Sequence, residues 1–551
     1  MSQVNIIVSQ NSGLKWWKSG NIYVKGYAWI GNKYYNGSTL AGFLSQKSRK
    51  AFLEIIKILN GSYSIIMDAQ HDAIAVVDRI RSMPLFYSID GTMITDNPLN
   101  IYPRYKVNID KTAYAELLTS GMYTGNNRTL FEDIKQIPAG NLCMIADNSR
   151  QGAILEQYYV HRHNGINRTS EALSREIMRM SESVFARLVM SLEGKTMIVP
   201  LSGGYDSRYI VAMLTKLGYR NLVCYTYGKI DSYEVVNARK IAETLNLKWF
   251  FVEYKEQKWM NIGKTIVNDY CDKTFLFSSI PHLQEIIALN ELCNHPEFPR
   301  DGVIVPGFCG DLLGGSVLLS DEEEQLIEYN EQWITRHILN TQYCFDKLNR
   351  DYTELIEQDI AECIKSFQIN INSIEGVQNV LESWFTVHRP AKYVIQSCRL
   401  YELFGYEWRL PLWDQEMLNF WYSVPLELRK GKTLYDQWLF DELFHPMEID
   451  YPKLNTQKVY ERPFVRIPKN FIRKIIGITW LTMGINLHEK GDPNGFKYLS
   501  RYLFKNLDNR YQYNYTNQNV NYLSGLWTLE RYLGADKTLS LYRQVTKKNK
   551  G

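Results

Sequence analysis

The apolar positions of the chain follow two different periods, one in its first part and another beyond it. Between residues 61 and 97, short apolar runs are separated by turn-forming residues at intervals of about ten, which is typical of antiparallel strands stacked as a sandwich. A helix over Arg49 to Leu59 precedes them and ends at Asn60-Gly61. The strands predicted from these runs are Ser62–Asp68, Ala73–Asp78, Leu85–Ile89, Thr92–Thr95 and, later, Asn141–Ala146.

Beyond residue 165 the pattern changes to strands that alternate with amphipathic helices. A long helix is predicted over Ser170 to Leu192, and Asp231 or Ser232 is placed to cap a later one. The alternation predicts a doubly wound parallel sheet with added helices, most of them between residues 320 and 430. The other predicted elements of this part are strands Thr196–Leu201, Leu222–Tyr227 and Leu247–Val252 and a helix over Arg208–Leu217.

We therefore expect two domains, an α+β domain over residues 1–165 and an α/β domain over residues 166–551. The second carries a helical and polar extension from about residue 445. It includes a segment rich in Asn and Tyr over Asn506–Tyr522 that is predicted to be a polar loop, with an interaction surface as the alternative. His161 and His163 lie at the boundary without other candidate metal ligands nearby in sequence, so they are predicted to be solvated.

The composition is that of a globular protein: 45% of the 551 residues are apolar and 22% are charged, which is enough for large cores. A net charge of +4 argues against a dedicated nucleic-acid binder. The most apolar late stretch, Ile475 to Ile485, is too short to cross a bilayer, and the first residues lack the features of a signal peptide. We expect a cytoplasmic protein with no membrane span, and its oligomeric state, including a homo-oligomer, stays open.

The segment Ser202-Gly-Gly-Tyr-Asp-Ser207 lies between a predicted strand and a predicted helix. Gly203 and Gly204 allow the backbone to approach a phosphate, while the hydroxyls of Ser202 and Ser207 and the first helical N–H groups can donate to it. An aspartate inside a phosphate loop would repel the anion unless a divalent cation lies between them. Asp206 is therefore predicted to bind magnesium, and a polar strand-to-helix turn is the alternative.

These residues resemble the asparagine synthetase family, in which Ser-Gly-Gly-x-Asp-Ser is the loop of an ATP pyrophosphatase domain. Other segments between residues 50 and 445 are similar to family motifs in the same chain order. In the second domain they are Pro306–Gly315, Glu407–Asp414 and Lys432-Thr-Leu-Tyr435, and in the first they are Leu59–Tyr63, Asp78–Tyr87, Thr129–Phe131 and Ile137–Gly140. The resemblance implies a glutaminase-like N-terminal domain of the Ntn-hydrolase type and a PP-loop ATP-pyrophosphatase domain.

The resemblance also implies a set of site residues. Asp206 and Asp311 hold Mg²⁺, and Lys432, which with Asp206 forms the implied catalytic pair, binds departing pyrophosphate. Lys392 is either a second cation near the phosphates or a surface lysine, and Tyr225 either offers its backbone to adenine or packs in the core. The implied ATP-binding residues are Leu201, Ser202, Gly203, Gly204, Tyr205, Asp206, Ser207, Tyr225, Pro306, Gly307 and Lys392. Arg409 and Asp414 are expected to be structural partners of each other.

The sequence departs from the family at two places, the glutaminase nucleophile and the residues that assist attack by the amine. Ser2 stands where the family's glutaminases carry a nucleophilic cysteine, and Cys143, the first cysteine, is too far along the chain to replace it. Phe308 stands where asparagine synthetases have a glutamate that assists amine attack, and Leu312 follows Asp311 in place of a second glutamate. ATP and magnesium handling are thus expected to be retained, with a different acceptor.

The leading hypothesis is an ATP-dependent amide-forming ligase that makes an acyl-adenylate from a substrate carboxylate and releases pyrophosphate. The amine then belongs to the substrate, as in the family's β-lactam synthetases and lasso-peptide cyclases, or the amine or ammonia comes from a separate donor. The carboxylate could belong to a small molecule, a peptide or a sugar acid. One alternative is an asparagine synthetase for asparagine biosynthesis that uses ammonia or a partner glutaminase. Another is a non-catalytic nucleotide-binding protein.

The missing cysteine predicts that the purified protein releases no glutamate from glutamine, because a serine hydroxyl ionises far less readily than a thiol under the same base. A coupled glutamate assay tests this expectation. Glutamate formation above that of a heat-inactivated sample would contradict it.

Overall fold

The structure is a computed structural model that describes residues 4–9, 13–69, 72–102, 108–146, 152–166, 168–451, 492, 494–508, 510 and 519–546. Ser2, the apolar stretch Ile475 to Ile485 and residues 509 and 511–518 of the Asn- and Tyr-rich segment lie outside the described residues. The end of that segment, Val520 to Tyr522, belongs to the helix Val520–Leu533, so the loop predicted there is wrong. None of the helices in the described ranges combines the length and the apolar character that a membrane crossing requires.

The N-terminal part contains two sheets. A larger one has the order β11-β10-β6-β5-β3-β2 with β4 beside β3, all antiparallel, and a smaller one has the order β1-β8-β7-β9. The pair β1 and β8 is parallel, which the sequence pattern did not indicate. The strands are β1 Asn5–Ile7, β2 Trp16–Ser19, β3 Ile22–Ile30, β4 Lys33–Asn36, β5 Asn60–Asp68, β6 Asp72–Val77, β7 Phe86–Ser88, β8 Met93–Thr95, β9 Ile134–Gln136, β10 Asn141–Ala146 and β11 Ala153–Gln157.

The alternation of side chains along these strands explains why they stack. Ile66 and Val77 face the smaller sheet, where they pack with Tyr87, whereas Ile65 and Val76 face the opposite side. There the large sheet is covered by helices α1 Gly37–Leu44 and α2 Arg49–Ile58. The predicted antiparallel sandwich flanked by helices is confirmed.

The C-terminal part is built on a five-stranded sheet in which every neighbouring pair is parallel, with the order β14-β13-β12-β15-β16. Its strands are β12 Thr196–Pro200, β13 Leu222–Gly228, β14 Lys248–Glu253, β15 Gly302–Ile304 and β16 Glu407–Trp408. The run of buried residues along β12 and β15 reflects burial of both faces. The doubly wound sheet that the alternation predicted is confirmed.

Helices surround this sheet and fill the region from residue 320 to 430, as predicted. In chain order they are α3 Lys111–Ser120, α4 Ser170–Met190, α5 Tyr205–Lys216, α6 Tyr233–Thr244, α7 Glu256–Asn261, α8 Lys264–Thr274, α9 Ile286–Leu292, α10 Gly310–Gly314, α11 Asp321–Glu324, α12 Glu331–Gln342, α13 Arg350–Ser366, α14 Ile374–Arg389, α15 Cys398–Leu403, α16 Gln415–Tyr422, α17 Leu426–Arg429, α18 Thr433–Leu439, α19 Phe496–Lys505, α20 Val520–Leu533 and α21 Ala535–Val545. Short 3₁₀ and π turns join several of them, including the π turn Pro390–Val394 that continues α14.

Two predictions about polar residues near this framework are wrong. His161 is buried rather than solvated, because Tyr159, Trp413 and Tyr422 surround its ring, and burial lowers its pKa to about 4. Arg409 and Asp414 are not partners: Arg409 pairs with Glu407, at 3.0 Å between Nη2 and Oε2, and Asp414 pairs with Arg187 on α4, at 2.7 Å between Oδ1 and Nη2.

A buried ion cluster joins the N-terminal sandwich to α15. Glu402 on α15 pairs with Lys25 of β3 at 3.0 Å and with Arg399 at 2.9 Å, and accepts a hydrogen bond from Trp408 Nε1 at 3.0 Å. Burial alone raises the pKa of Glu402, but the charges of Arg399 and Lys25 hold it below its usual value. Because both cations depend on this one carboxylate, its loss leaves charge without compensation in the interior.

We predict that Glu402→Ala lowers the free energy of unfolding by about 3–5 kcal/mol, the range observed when one partner of a buried ion pair is removed. Urea unfolding followed by tryptophan fluorescence measures the change. The control is Glu54→Ala, which breaks a pair with Lys57 on the surface of α2, where the glutamate side chain is 66% exposed, and which should cost less than about 1 kcal/mol. Equal effects of the two substitutions would contradict the prediction.

Candidate functional site

The strand order places a site at the junction of β12 and β15. From β12 the chain moves through β13 and β14 to one side of the sheet, whereas β15 and β16 lie on the other side. Ligands of open α/β sheets bind at the carboxyl ends of the strands where the order reverses in this way. Ser202–Ser207 follow β12 and Pro306–Asp311 follow β15, so the two glycine-rich segments meet at this edge.

The loop after β12 leads into α5 and is held by hydrogen bonds to its own serine side chains. Ser202 N donates to Ser207 Oγ at 3.0 Å, and Gly204 N donates to Ser202 Oγ at 3.1 Å. Gly204 is the N-cap of α5 and makes no side-chain capping hydrogen bond. The first N–H groups of a helix without such a cap are suited to bind an anion.

The segment after β15 packs against the start of α5, with Gly307 on its backbone and Gly310 on the side chain of Asp206. A Cβ on Gly307 would lie 2.6 Å from Ser207 N, and one on Gly310 would lie 2.7 Å from Asp206 Cγ. Cys309, between these glycines, has a φ of 66° and turns the chain into α10. The glycines at 307 and 310 therefore allow an approach that any side chain there would prevent.

This approach brings the two predicted metal ligands together. Asp311 N donates to Asp206 Oδ2 at 3.2 Å, and the hydroxyl of Tyr435 on α18 donates to Asp206 Oδ1 at 3.0 Å. The charges of both aspartates add to burial in raising the pKa of Tyr435. Carboxylate oxygens are the ligands that Mg²⁺ prefers, and it commonly takes only one or two from protein. The pair therefore fits Mg²⁺, although the described residues hold no cluster of three potential metal ligands.

Both segments open into a cleft of about 890 Å³ that extends from the sheet edge to α12 and α14. Of the residues that the resemblance implied, the cleft is lined by Ser202, Gly204, Tyr205, Asp206, Ser207, Pro306, Gly307 and Asp311. Phe308 also lines it. Leu201 and Gly203 lie beneath the loop: Leu201 N donates to Tyr225 O at 2.8 Å, and a Cβ on Gly203 would lie 3.0 Å from Glu234 Cα.

Three other implied residues do not line the cleft. Lys392 is buried in the π turn, where its Nζ donates to the main-chain oxygens of Thr124 at 2.8 Å and Asn126 at 2.7 Å, and burial lowers its pKa to about 7. Tyr225 is fully buried, and its hydroxyl donates a hydrogen bond to Glu285. Lys432 lies nearby: its Nζ is 3.1 Å from Asp436 and 5.7 Å from the ring centre of Tyr205.

A carboxylate that the sequence did not reveal lies in the wall of the cleft. Glu285 accepts hydrogen bonds from the hydroxyls of Tyr225 and Tyr401, and burial raises its pKa to about 7. The sequence analysis also did not predict a site role for Tyr435, which donates a hydrogen bond to Asp206, although it is the last residue of the Lys432 motif. No short motif surrounds Glu285, and only the fold brings residues 225, 285 and 401 together.

Comparison with known proteins agrees with this geometry. Residues 181–447 match the family described as asparagine synthase, and this match supports membership of that group of ATP-dependent, adenylating enzymes that form amides. The match supports an enzyme of the carbon–nitrogen ligase type. No curated protein matches the chain in sequence.

Two solved structures are similar to parts of the chain at low overall superposition. A U34-tRNA thiolase from Methanococcus maripaludis is 16% identical, with 45% of this chain and 84% of that one covered and a TM-score of 0.19. An NH3-dependent NAD synthetase from Campylobacter jejuni is 12% identical, with 36% and 95% covered and a TM-score of 0.17. The assignment of the architecture rests on the strand order and not on these likenesses.

We predict that Gly307→Ala weakens ATP binding by at least about tenfold, because the new methyl group pushes the second segment away from the start of α5. Calorimetric titration with ATP and Mg²⁺ measures the change. The control is Gly42→Ala, where a Cβ meets nothing within 4 Å and α1 should be slightly stabilised. Unchanged affinity in Gly307→Ala would show that the close approach is unimportant for the nucleotide.

Proposed function

We propose that this protein is an ATP-dependent ligase that activates a substrate carboxylate as an acyl-adenylate and converts it to an amide. The observation that carries the proposal is the meeting of the Ser202–Ser207 loop with Asp311 at the reversal point of a parallel sheet, within a domain of the asparagine synthase family. A carboxylate oxygen of the substrate attacks the α-phosphorus of ATP, and the bond to pyrophosphate breaks. An amine then attacks the acyl carbon and AMP leaves.

The residues of the loop bind and neutralise the departing group. Ser202, Ser207 and the first N–H groups of α5 donate to phosphate oxygens, and the charge of Lys432 offsets the charge that develops on pyrophosphate. Asp206 and Asp311 would hold Mg²⁺, which supplies charge neutralisation to the phosphates when bound. Tyr435 fixes the rotamer of Asp206 through its hydrogen bond.

The far end of the cleft supports a carboxylate substrate with a larger apolar body than aspartate. Leu381, Trp384 and Phe385 of α14 and Ile338 of α12 form an apolar wall there, and Arg389 supplies a cation. Phe308 lines the cleft where asparagine synthetases have a glutamate. These residues favour the ligase with an altered acceptor over an asparagine synthetase.

The cysteine of the N-terminal domain is not placed to hydrolyse glutamine, which favours a different amine donor. Cys143, the one cysteine of residues 1–165, lies on β10 inside the sandwich, and burial raises its pKa to about 12. A buried thiol of this kind is not ionised near neutral pH and cannot act as the nucleophile. The proposal therefore uses free ammonia or an amine of a substrate.

Pyrophosphate release from ATP and Mg²⁺, measured over a panel of carboxylates with hydroxylamine as acceptor, tests the proposal. We expect release that depends on one class of carboxylate and falls at least about 100-fold in Asp206→Asn. The control is Asp231→Asn, an exposed aspartate before α6, which should keep the full rate. Dependence on aspartate would establish asparagine synthetase instead, and ATP binding without release for any carboxylate would support the non-catalytic alternative.

A further inference from the structure

The nucleotide cleft is lined by more acidic than basic residues. Arg389, the last residue of α14, is the one lysine or arginine of the lining within the described ranges. Burial lowers the pKa of both histidines of the lining, His282 and His337, so they are neutral near pH 7. The carboxylates of the lining belong to Asp206, Glu285, Asp311 and Glu323. An anionic substrate that enters the cleft therefore meets one permanent cation, Arg389.

The guanidinium of Arg389 has no polar partner in the part of the chain that the structure describes. It forms neither an ion pair nor a hydrogen bond there, and its Cζ lies 5.7 Å from the ring centre of Phe385. Burial and the charges of Asp311 and Asp206 raise the pKa of the Cys309 thiol, whereas the charge of Arg389 lowers it. The guanidinium thus lies close enough to the second glycine-rich segment to act on the same thiol as the two predicted metal ligands.

A π turn separates Arg389 from the other cation at this end of α14. Residues three apart lie on the same side of a regular helix, but Pro390 has no N–H to continue one, and the chain passes into the π turn Pro390–Val394. Lys392, in that turn, donates to two main-chain oxygens of the N-terminal part. The turn therefore directs Lys392 away from the cleft, while Arg389 stays on the cleft side of α14.

The face of α14 that carries Arg389 is otherwise apolar. Leu381 and Phe385 precede it by eight and four residues, so the three side chains share one side of the helix. All three line the cleft, as do Trp384 and Ile338 of α12. An apolar wall that ends in a guanidinium matches an acid with an apolar body.

The phosphates of ATP have other partners in the proposed function, namely the Ser202–Ser207 loop, the start of α5 and Lys432. The carboxylate of the substrate has no such partner among them. A guanidinium can donate two parallel hydrogen bonds to a carboxylate, which fixes the orientation of the acid as well as its position. Arg389 is thus suited to the substrate and not to the nucleotide.

We propose that Arg389 binds the carboxylate of the substrate, an acid whose apolar body lies along Leu381 and Phe385, and holds it for attack on the α-phosphorus of ATP. The inference rests on the proposed function and adds the residue that selects the acid. The carboxylate loses its charge when its oxygen bonds to phosphorus and pyrophosphate leaves, so the contact acts on the free acid. A neutral amide of the same shape lacks the charge that Arg389 pairs with.

Binding to the full chain tests the inference without turnover. Phenylacetate, 3-phenylpropionate and 4-phenylbutyrate, each against its amide, are titrated by calorimetry with Mg²⁺ and α,β-methylene-ATP present, in which the bond that breaks is blocked. We expect the wild-type protein to bind at least one acid at least about tenfold more tightly than its amide, and Arg389→Gln to lose this preference. Arg389→Lys, which keeps the charge, should retain part of it.

The matched control is Arg336→Gln, the same substitution at an exposed arginine of α12 that does not line the cleft. It should keep the preference for the acid, and both glutamine variants should bind α,β-methylene-ATP as the wild type does.

A wild-type protein that binds none of the acids, or binds acid and amide equally, would overturn the inference, as would an Arg389→Gln variant that keeps the preference. Weaker binding of α,β-methylene-ATP to Arg389→Gln, with the preference for the acid unchanged, would assign the guanidinium to the phosphates instead. The proposed function fails by a different result, the absence of pyrophosphate release, so the two failures are distinguishable.

Discussion

The site depends on one close contact between two stretches of backbone. Gly307 passes so near the first turn of α5 that a Cβ would lie 2.6 Å from Ser207 N, and Gly310 makes a similar approach to Asp206. β12 and β15 are paired in the sheet, and the contact sets the distance between the two segments that follow them. It therefore decides whether Asp206 and Asp311 can act on one ligand, and the uncapped start of α5 faces the same cleft because of it.

The N-terminal sandwich and the parallel sheet are joined by charged residues as well as by apolar packing. Glu402 compensates two buried cations, one from each part, while Arg81 brings a third positive charge that has no hydrogen-bond acceptor among the described residues. Lys392 donates hydrogen bonds to two main-chain oxygens of the N-terminal part. These buried charges define the geometry of the interface between the two parts of the chain, since each ionic contact requires its partner at a fixed place.

Some groups of the cleft could be predicted from sequence motifs, and others could not. The loop Ser202–Ser207 is contiguous, so its glycines, hydroxyls and carboxylate could be interpreted without a structure. Glu285 and its two tyrosines come from three distant segments, and none of them stands in a recognisable motif. The same distinction explains the error about Arg409 and Asp414: nearness in sequence favoured a pair, but Arg187 on α4 approaches Asp414 and Glu407 approaches Arg409.

The sequence by itself determined the antiparallel sandwich, the parallel sheet, the helix-rich region and the glycine-rich loop, because alternation of apolar residues and the preferences of glycine and capping residues act over short stretches of chain. It did not indicate strands β1–β4, β9, β11, β15 or β16. It could not show that the turn at Arg81 and Ser82 meets α15, that His161 is enclosed by aromatic rings, or that Lys392 points away from the cleft. Only the tertiary structure decided these, since burial and charge compensation depend on which distant segments pack together and not on the residues beside them in sequence.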